Sequence, residues 1–238
     1  MPPLPGPRRT GNRFLDRLPA AARAALAAAL EPVDLRAGDE LLTAGGPLPH
    51  VYFPAGGLVS VLAETADGGE AEAAAVGREG LVGVAALLGA TVGPVRAAVQ
   101  VAGPALRADA AAVLRVGRRV PAADRRFRRY AAYTLRAVAQ TAVCAAAHPL
   151  RARVCRWLAA ARAKTGRDEV PITQEALAVL LAAHRPTVTQ VARTLQEAGL
   201  IAYRRGTIRV TDPAGLEAAA CGCQRVIDAW YARMLNSE

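Results

Sequence analysis

Apolar positions along the 238-residue chain change their period three times. In "NRFLDRLPAAARAALAAALEPVDL", Phe14, Leu15, Leu18, Ala22, Leu26 and Leu30 fall at helical spacing and predict an amphipathic helical lead-in. The period then shortens. Runs at Glu40–Thr43, Val51–Phe53, Leu58–Ala63 and Ala71–Val76, then "VRAAVQV" and "ALRA", are separated by glycines such as Gly45-Gly46, Gly56-Gly57 and Gly68-Gly69. Short strands with glycine turns at close spacing are what an antiparallel roll requires, so residues 32–108 are read as a small jelly-roll-like β-roll.

Helical periodicity returns near Arg115. In "RRFRRYAAYTLRAVAQTAVCAAAH", Phe127, Ala131, Thr134, Val138, Thr141 and Ala145 alternate in steps of four and three, flanked by Leu135 and Ala142. A mean period of about 3.5 lets two helices wrap around each other, and this stripe is read as a dimer seam. A long helix buried against the β-roll gives a similar stripe. His148-Pro149 ends the helix, because proline lacks an N–H and disfavours helical geometry in its predecessor.

Beyond that hinge, "LRARVCRWLAAARAKTG" is again amphipathic, with Leu150, Val154, Trp157, Leu158 and Ala161 on one side. Thr173 stands at an N-cap position before Ala176, Leu177, Leu180 and Leu181. After "AAH", a second helix opens at Arg185-Pro186 and buries Val188, Val191, Ala192 and Leu195. Its other face carries Arg185, Thr187, Thr189, Gln190 and Arg193. Two short helices joined by a tight turn, the second bearing hydrogen-bonding side chains early on its exposed face, predict a helix-turn-helix. Arginine forks onto guanine and glutamine onto adenine, so Arg185, Thr187, Thr189 and Gln190 are the candidate base readers. "GLIAYRRGTIRVTD" reads as strand, turn, strand: a wing offering Arg204 and Arg205 to phosphates, with Thr173, His184 and Arg193 as further phosphate contacts. The predicted class is therefore α+β: a disordered tail over 1–12, a β-roll domain over 13–118, a long dimerisation helix and hinge over 119–148, and a winged helix-turn-helix over 149–238.

Charge strengthens this picture. Residues 1–114 hold 9 Lys+Arg against 11 Asp+Glu, residues 115–136 hold 8 against 1, and residues 137–238 hold 13 against 8, within a net charge of +10. An arginine-rich genome explains why every base but Lys164 is Arg, but not the asymmetry, which fits a C-terminal half that meets a polyanion. No apolar run is long enough to cross a bilayer and "MPPLPGPRRTGN" has no secretory h-region, so the expected address is cytoplasmic with no membrane partner. Cys144, Cys155, Cys221 and Cys223 are then expected to be reduced, buried thiols. Cys221-Gly-Cys223 lacks a second cysteine pair or a set histidine spacing, so no metal is expected. No catalytic constellation, P-loop or dinucleotide fingerprint is found, and an enzyme is not expected, a β-roll enzyme included.

The glycine-punctuated "AGDELLTAGGPLPHVYFPAGGLVSVL", the long helix and "ITQEALAVLLAAHRPTVTQVARTLQEAGLI" together resemble the Crp/Fnr family of bacterial transcription regulators across nearly the whole chain. The resemblance implies a homodimer with a cyclic-nucleotide-binding-like sensor and a winged helix that binds a near-palindromic operator in double-stranded DNA, with RNA polymerase as a candidate partner. By position Arg185 matches a base-contacting arginine of the family; a family glutamate falls at Pro186 and a second arginine at Gln190, so the operator read should differ. In the sensor, Gly83 and Arg96 are similar to the family's phosphate cassette, but Val84 stands where a ribose-binding glutamate belongs and Ala97 where a hydroxyl belongs. Gly83, Val84, Arg96 and Ala97 therefore mark a candidate pocket for an unknown small-molecule effector, and cyclic AMP binding of the usual kind is not expected. Arg78 and Glu79 nearby read as exposed loop charges. With no cysteine before Cys144 and only His50, His148 and His184, neither the family's N-terminal iron–sulfur sensor nor a haem sensor is expected. The alternative is a constitutive DNA-binding protein with a vestigial sensor.

Overall fold

The computed structural model describes residues 10–236. Most of the expected tail, residues 1–9, lies outside the described residues, but Asn12 at its end is fully buried. Its Oδ1 accepts a hydrogen bond from Leu15 N at 2.9 Å, and its Nδ2 donates to Pro54 O at 2.8 Å and Gly80 O at 2.7 Å. One amide thus caps the first helix and ties it to two loops of the β-roll.

The lead-in is not one helix. It breaks into α1 (Arg13–Asp16) and α2 (Ala20–Ala27) around Pro19, and the segment "EPVDL" is instead strand β1 (Glu31–Leu35). Pro32 cannot continue a helix, but it is tolerated in β1, which lies at a sheet edge and pairs antiparallel with β7. The remaining roll comprises β2 (Glu40–Leu42), β3 (His50–Pro54), β4 (Leu58–Glu64), β5 (Glu70–Val76), β6 (Arg96–Val101) and β7 (Gly103–Asp109), with the single-turn α3 (Val84–Leu87) between β5 and β6. The two antiparallel sheets run β1-β7-β3 and β2-β6-β4-β5. Gly57, at φ +81°, closes the turn before β4 where a Cβ would meet Val101 O at 2.4 Å. The second sheet is covered on both faces. Val59, Ala97 and Val99 face the interior of the roll, while Leu58, Leu62, Ala98 and Val101 join the core of the C-terminal domain. Burial on both sides is why β4 reads as a nearly continuous apolar run.

Helix α4 (Ala110–Arg119) leads into α5 (Pro121–Ala147), which opens on proline and ends against His148-Pro149. Its inward face is Ala123, Phe127, Tyr130, Tyr133, Ala137, Gln140 and Cys144. This corrects the expected seam. Phe127 is 3% exposed and stacks on Phe14 with ring centroids 6.1 Å apart, so it belongs to the protomer's own core. Ala131, Thr134, Val138 and Thr141 are half-buried, and Ala145 is exposed. Thr134 and Thr141 donate their hydroxyls to Tyr130 O and Ala137 O, each at 3.0 Å. The apolar stripe left open is shifted by one residue: Ala132, Leu135, Ala139, Ala142 and Ala146, with Val143 beside it. Leu135 is 72% exposed.

After α6 (Leu150–Thr165) come β8 (Glu169–Val170), α7 (Gln174–Leu180), α8 (Arg185–Glu197), β9 (Ile201–Arg204), β10 (Thr207–Val210), α9 (Pro213–Ala219) and α10 (Cys223–Asn236). The third sheet runs β8-β10-β9. The expected domain over 149–238 does not hold together as one unit, because α10 folds back along α5. Ile227 enters the core of the N-terminal domain, the Tyr231 ring meets Tyr133 edge-on at 5.1 Å, and Tyr231 Oη donates to Glu79 O. Among the described residues no helix is long and apolar enough to cross a membrane.

Candidate nucleic-acid interface

Thr173 begins the reading unit by capping α7: its Oγ1 accepts from Ala176 N at 3.0 Å. The chain leaves α7 through Ala182, whose φ of +45° turns it sharply into α8. Helix α8 buries Val188, Ala192 and Leu195 against the C-terminal core. With that stripe fixed, Arg185, Thr187, Thr189, Gln190 and Arg193 point to solvent, and so does His184 at the N-cap. His184 supplies no side-chain cap; Pro186 has no N–H and Thr187 N donates to His184 O at 3.0 Å, so the Arg185 N–H is the first-turn donor left facing solvent. Arg185 Nη1 lies 2.9 Å from Glu175 Oε2, an exposed pair that a phosphate or base edge can displace at small cost. Thr189 Oγ1 donates to Gln174 Oε1 at 2.7 Å, and Arg193 Nε pairs with Glu197 Oε1 at 3.0 Å.

The wing is a two-residue hairpin. Arg204 pairs with Thr207, and Arg205 and Gly206 between them have φ of +47° and +81°, the left-handed pair that matches strand twist. Arg204 and Arg205 are both exposed. Two contacts set the wing beside the helices: Tyr203 N donates to Gln196 Oε1 at 2.6 Å, and a Cβ on Gly206 would lie 3.6 Å from the Thr173 methyl. The expected base readers and the two wing arginines are therefore carried by one small rigid unit.

The four residues singled out in the β-roll have separate settings. Gly83, at φ +94°, turns the chain into α3 over His50 O, and Val84 is half-buried. Arg96 is held by two carboxylates, Glu40 Oε2 at 2.7 Å and Glu70 Oε1 at 3.1 Å, while Ala97 is buried between β2 and β4. Glu79 is not an exposed loop charge. It is 9% exposed, accepts from Gly77 N at 3.1 Å and pairs with Lys164 of α6. Nearby, Arg13, Arg78, Glu79, Arg156, Lys164 and Tyr231 line a cavity of about 380 Å³ between the domains. A second interdomain tie is Glu72 of β5, buried, accepting from Trp157 Nε1 of α6 at 2.9 Å and from Ser60 Oγ. Burial pushes the Glu72 carboxyl above its ordinary value, more than those two hydrogen bonds lower it.

The cysteines are more closely grouped than their spacing along the chain suggests. All four are free and buried, but three of them are not isolated: Cys144, Cys221 and Cys223 converge with His148 so that their ligand atoms lie within 4.8 Å of one another. Burial and the contact with Cys221 push the Cys144 thiol up to about 12. The readable signal was Cys144 in the last turn of α5 and His148 just past its end, four residues apart; what was not readable is the return of α10 that brings the Cys-x-Cys pair to them.

Residues 152–219 match the Crp-like helix-turn-helix domain. A Crp/Fnr-family putative transcriptional regulator from Eubacterium rectale superposes with a TM-score of 0.67 at 17% identity, covering 88% of this chain and 98% of that one. FixK2 from Bradyrhizobium japonicum gives 0.68 at 14% identity, covering 81% and 98%. The c-di-GMP-responsive global regulator CLP from Xanthomonas campestris gives 0.64 at 17% identity, covering 82% and 100%. At these identities the likeness is one of fold. No curated protein matches the sequence.

Proposed function

We infer that this chain, which carries a Crp-like helix-turn-helix domain on the fold of the Crp/Fnr regulators, is a DNA-binding transcriptional regulator that works as a homodimer. The observation that carries this reading is the exposed row Arg185, Thr187, Thr189 and Gln190 on α8, with an arginine-tipped wing alongside. Arg185 has the forked donors that match guanine O6 and N7, and Gln190 the amide donor and acceptor that match adenine N7 and N6; Thr173, His184, Arg193, Arg204 and Arg205 sit on or beside the same unit to hold backbone phosphates. Two chains pair through the open α5 stripe centred on Leu135, which presents both reading helices to successive major-groove faces.

The sensor gates this surface through the domain interface. Asp67 of the β4–β5 turn and Glu70 at the start of β5 share a groove with Glu175, His184 and Arg185, so carboxylates stand close to the start of the reading helix. An effector that draws the β-roll away from α7 shifts the population toward the competent arrangement. The basic interdomain cavity beside Glu79 is a better-formed place for such an effector than the Gly83–Ala97 region, where Arg96 is already paired.

Selection of bound genomic DNA fragments tests the reading. The expected product is an inverted repeat with half-sites about 34–36 Å apart, one helical turn. Recovery of fragments without any shared or symmetric motif would refute it. Operator affinity measured with and without small molecules from cell extract then separates gated from constitutive binding.

A further inference from the structure

The Cys144, His148, Cys221 and Cys223 cluster has a geometry that buried thiols do not need. Cys144 Sγ is 3.4 Å from Cys221 Sγ, and Cys223 Sγ is 3.7 Å from His148 Nδ1. A tetrahedral ion with Zn–S of about 2.3 Å and Zn–N of about 2.0–2.1 Å requires edges of roughly 3.8 Å between sulfurs and roughly 3.6 Å between sulfur and nitrogen. The sulfur–nitrogen edge lies within about 0.1 Å of its value and the sulfur–sulfur edge about 0.4 Å inside its own, so a small opening of Cys144 from Cys221 admits one ion, and every ligand atom already lies within 4.8 Å of the others. Sulfurs 3.4 Å apart are not bonded to each other.

The surroundings match a thiolate site. Gln140 is a buried amide, 8% exposed, whose Nε2 donates to Cys223 Sγ at 3.1 Å, as a second-layer donor to a metal-bound sulfur would. Three thiolates and a neutral imidazole around a divalent ion carry one net negative charge, and the buried guanidinium of Arg156 is the nearby positive charge that would offset it. Arg156 Nε has no hydrogen-bond partner. A shallow hollow lined by Gln140, His148, Gly222, Cys223 and Arg225 opens the site to solvent, giving an ion a way in. All four ligands lie outside residues 152–219, the matched helix-turn-helix domain.

We propose that Cys144, His148, Cys221 and Cys223 form a closed Cys3His site for one thiophilic divalent ion of the zinc type. The ion fastens the N-terminal turn of α10 to the last turn of α5 and to His148, the residue at which α5 passes into the helix leading to the DNA-reading unit. Cys221 N also donates to Ala152 O at 3.4 Å, so the same clamp touches the start of α6. Binding releases the thiol protons to solvent, and the metal keeps its oxidation state.

The test uses the full chain, reduced and stripped with chelator, titrated with Co²⁺ and then Zn²⁺. The expected result is one Co²⁺ per chain with the visible bands of a tetrahedral ion and sulfur-to-cobalt charge transfer, displaced by one equivalent of Zn²⁺. Cys155 is buried outside the cluster, so Cys155→Ser should keep the spectrum while Cys144→Ser and Cys223→Ser lose it. Gln140→Leu should keep the tetrahedral bands with affinity lowered about 10–100-fold. Failure of the reduced wild-type chain to bind Co²⁺, an octahedral spectrum, or a Cys144–Cys221 disulfide in chain purified under nitrogen would overturn the proposal. The wild-type titration does not depend on any variant folding, and no DNA enters the measurement, so its outcome is separate from that of the DNA-binding reading.

Discussion

Replacing Leu135 with alanine separates the two stripes that α5 carries. Leu135 is 72% exposed in the protomer, so association through this face has most of its side chain left to cover. Leu→Ala removes three carbons, which at roughly 0.8 kcal/mol per methylene is about 2.4 kcal/mol if fully covered. Scaled by the exposed fraction, the loss is about 1.7 kcal/mol per chain. A two-fold interface contains the residue twice, so the dimer should weaken by about 3.5 kcal/mol, roughly a 300-fold rise in dimer Kd. Sedimentation equilibrium over a concentration series reads this directly, and the thermal midpoint of the protomer should barely move, because the side chain lies outside its core. Phe127→Ala should behave in the opposite way. It empties a site packed against Phe14 and costs about 3–5 kcal/mol of folding stability. A dimer constant unchanged by Leu135→Ala would refute the placement of the interface and, with it, the assignment of the exposed stripe.

Arg204→Ala and Arg205→Ala should weaken binding to every duplex alike and lower the slope of log K against log salt by about 0.9 for each lost phosphate contact, as read by titration between low and moderate salt. Arg205→Gly should show the same smaller slope with the hairpin intact, since glycine adopts the φ of +47° freely; a slope equal to wild type would remove the wing from the interface. Glu72→Gln tests the interdomain tie. Its carboxyl is raised in the folded chain, so its stabilising contribution is complete below the ordinary value of 4.5 and is lost as pH rises through the raised value. Thermal midpoints should therefore favour Glu72→Gln over wild type at pH 8 and converge as the pH approaches 5, whereas a difference that does not change with pH would contradict the burial argument.

Elements whose pattern is local were legible from sequence. The Arg205-Gly206 turn between β-forming runs, Thr173 at an N-cap, Pro186 in a first turn and Pro149 after a helix each act over a few residues, and the reading helix follows from them. The phase of α5 was not legible. An alanine-rich helix contains a second stripe of period near 3.5 one residue away from the first, and only the packing of Phe127 on Phe14 and of Tyr133 on Tyr231 decides which faces inward. β1 was hidden because Leu30 continues a helical spacing up to Pro32, and its partner lies more than sixty residues later in β7. The cysteine cluster joins positions about 75 residues apart through α10, whose amphipathic face gives no sign of which domain it will cover.

Base reading by α8 is open to single-base substitution across the selected operator. With wild-type chain, one position in each half-site should discriminate its preferred base by about 1–3 kcal/mol through Arg185, and Arg185→Ala should erase discrimination there while leaving the other positions intact. Equal affinity and an unchanged base profile in Arg185→Ala would show that α8 does not read the bases.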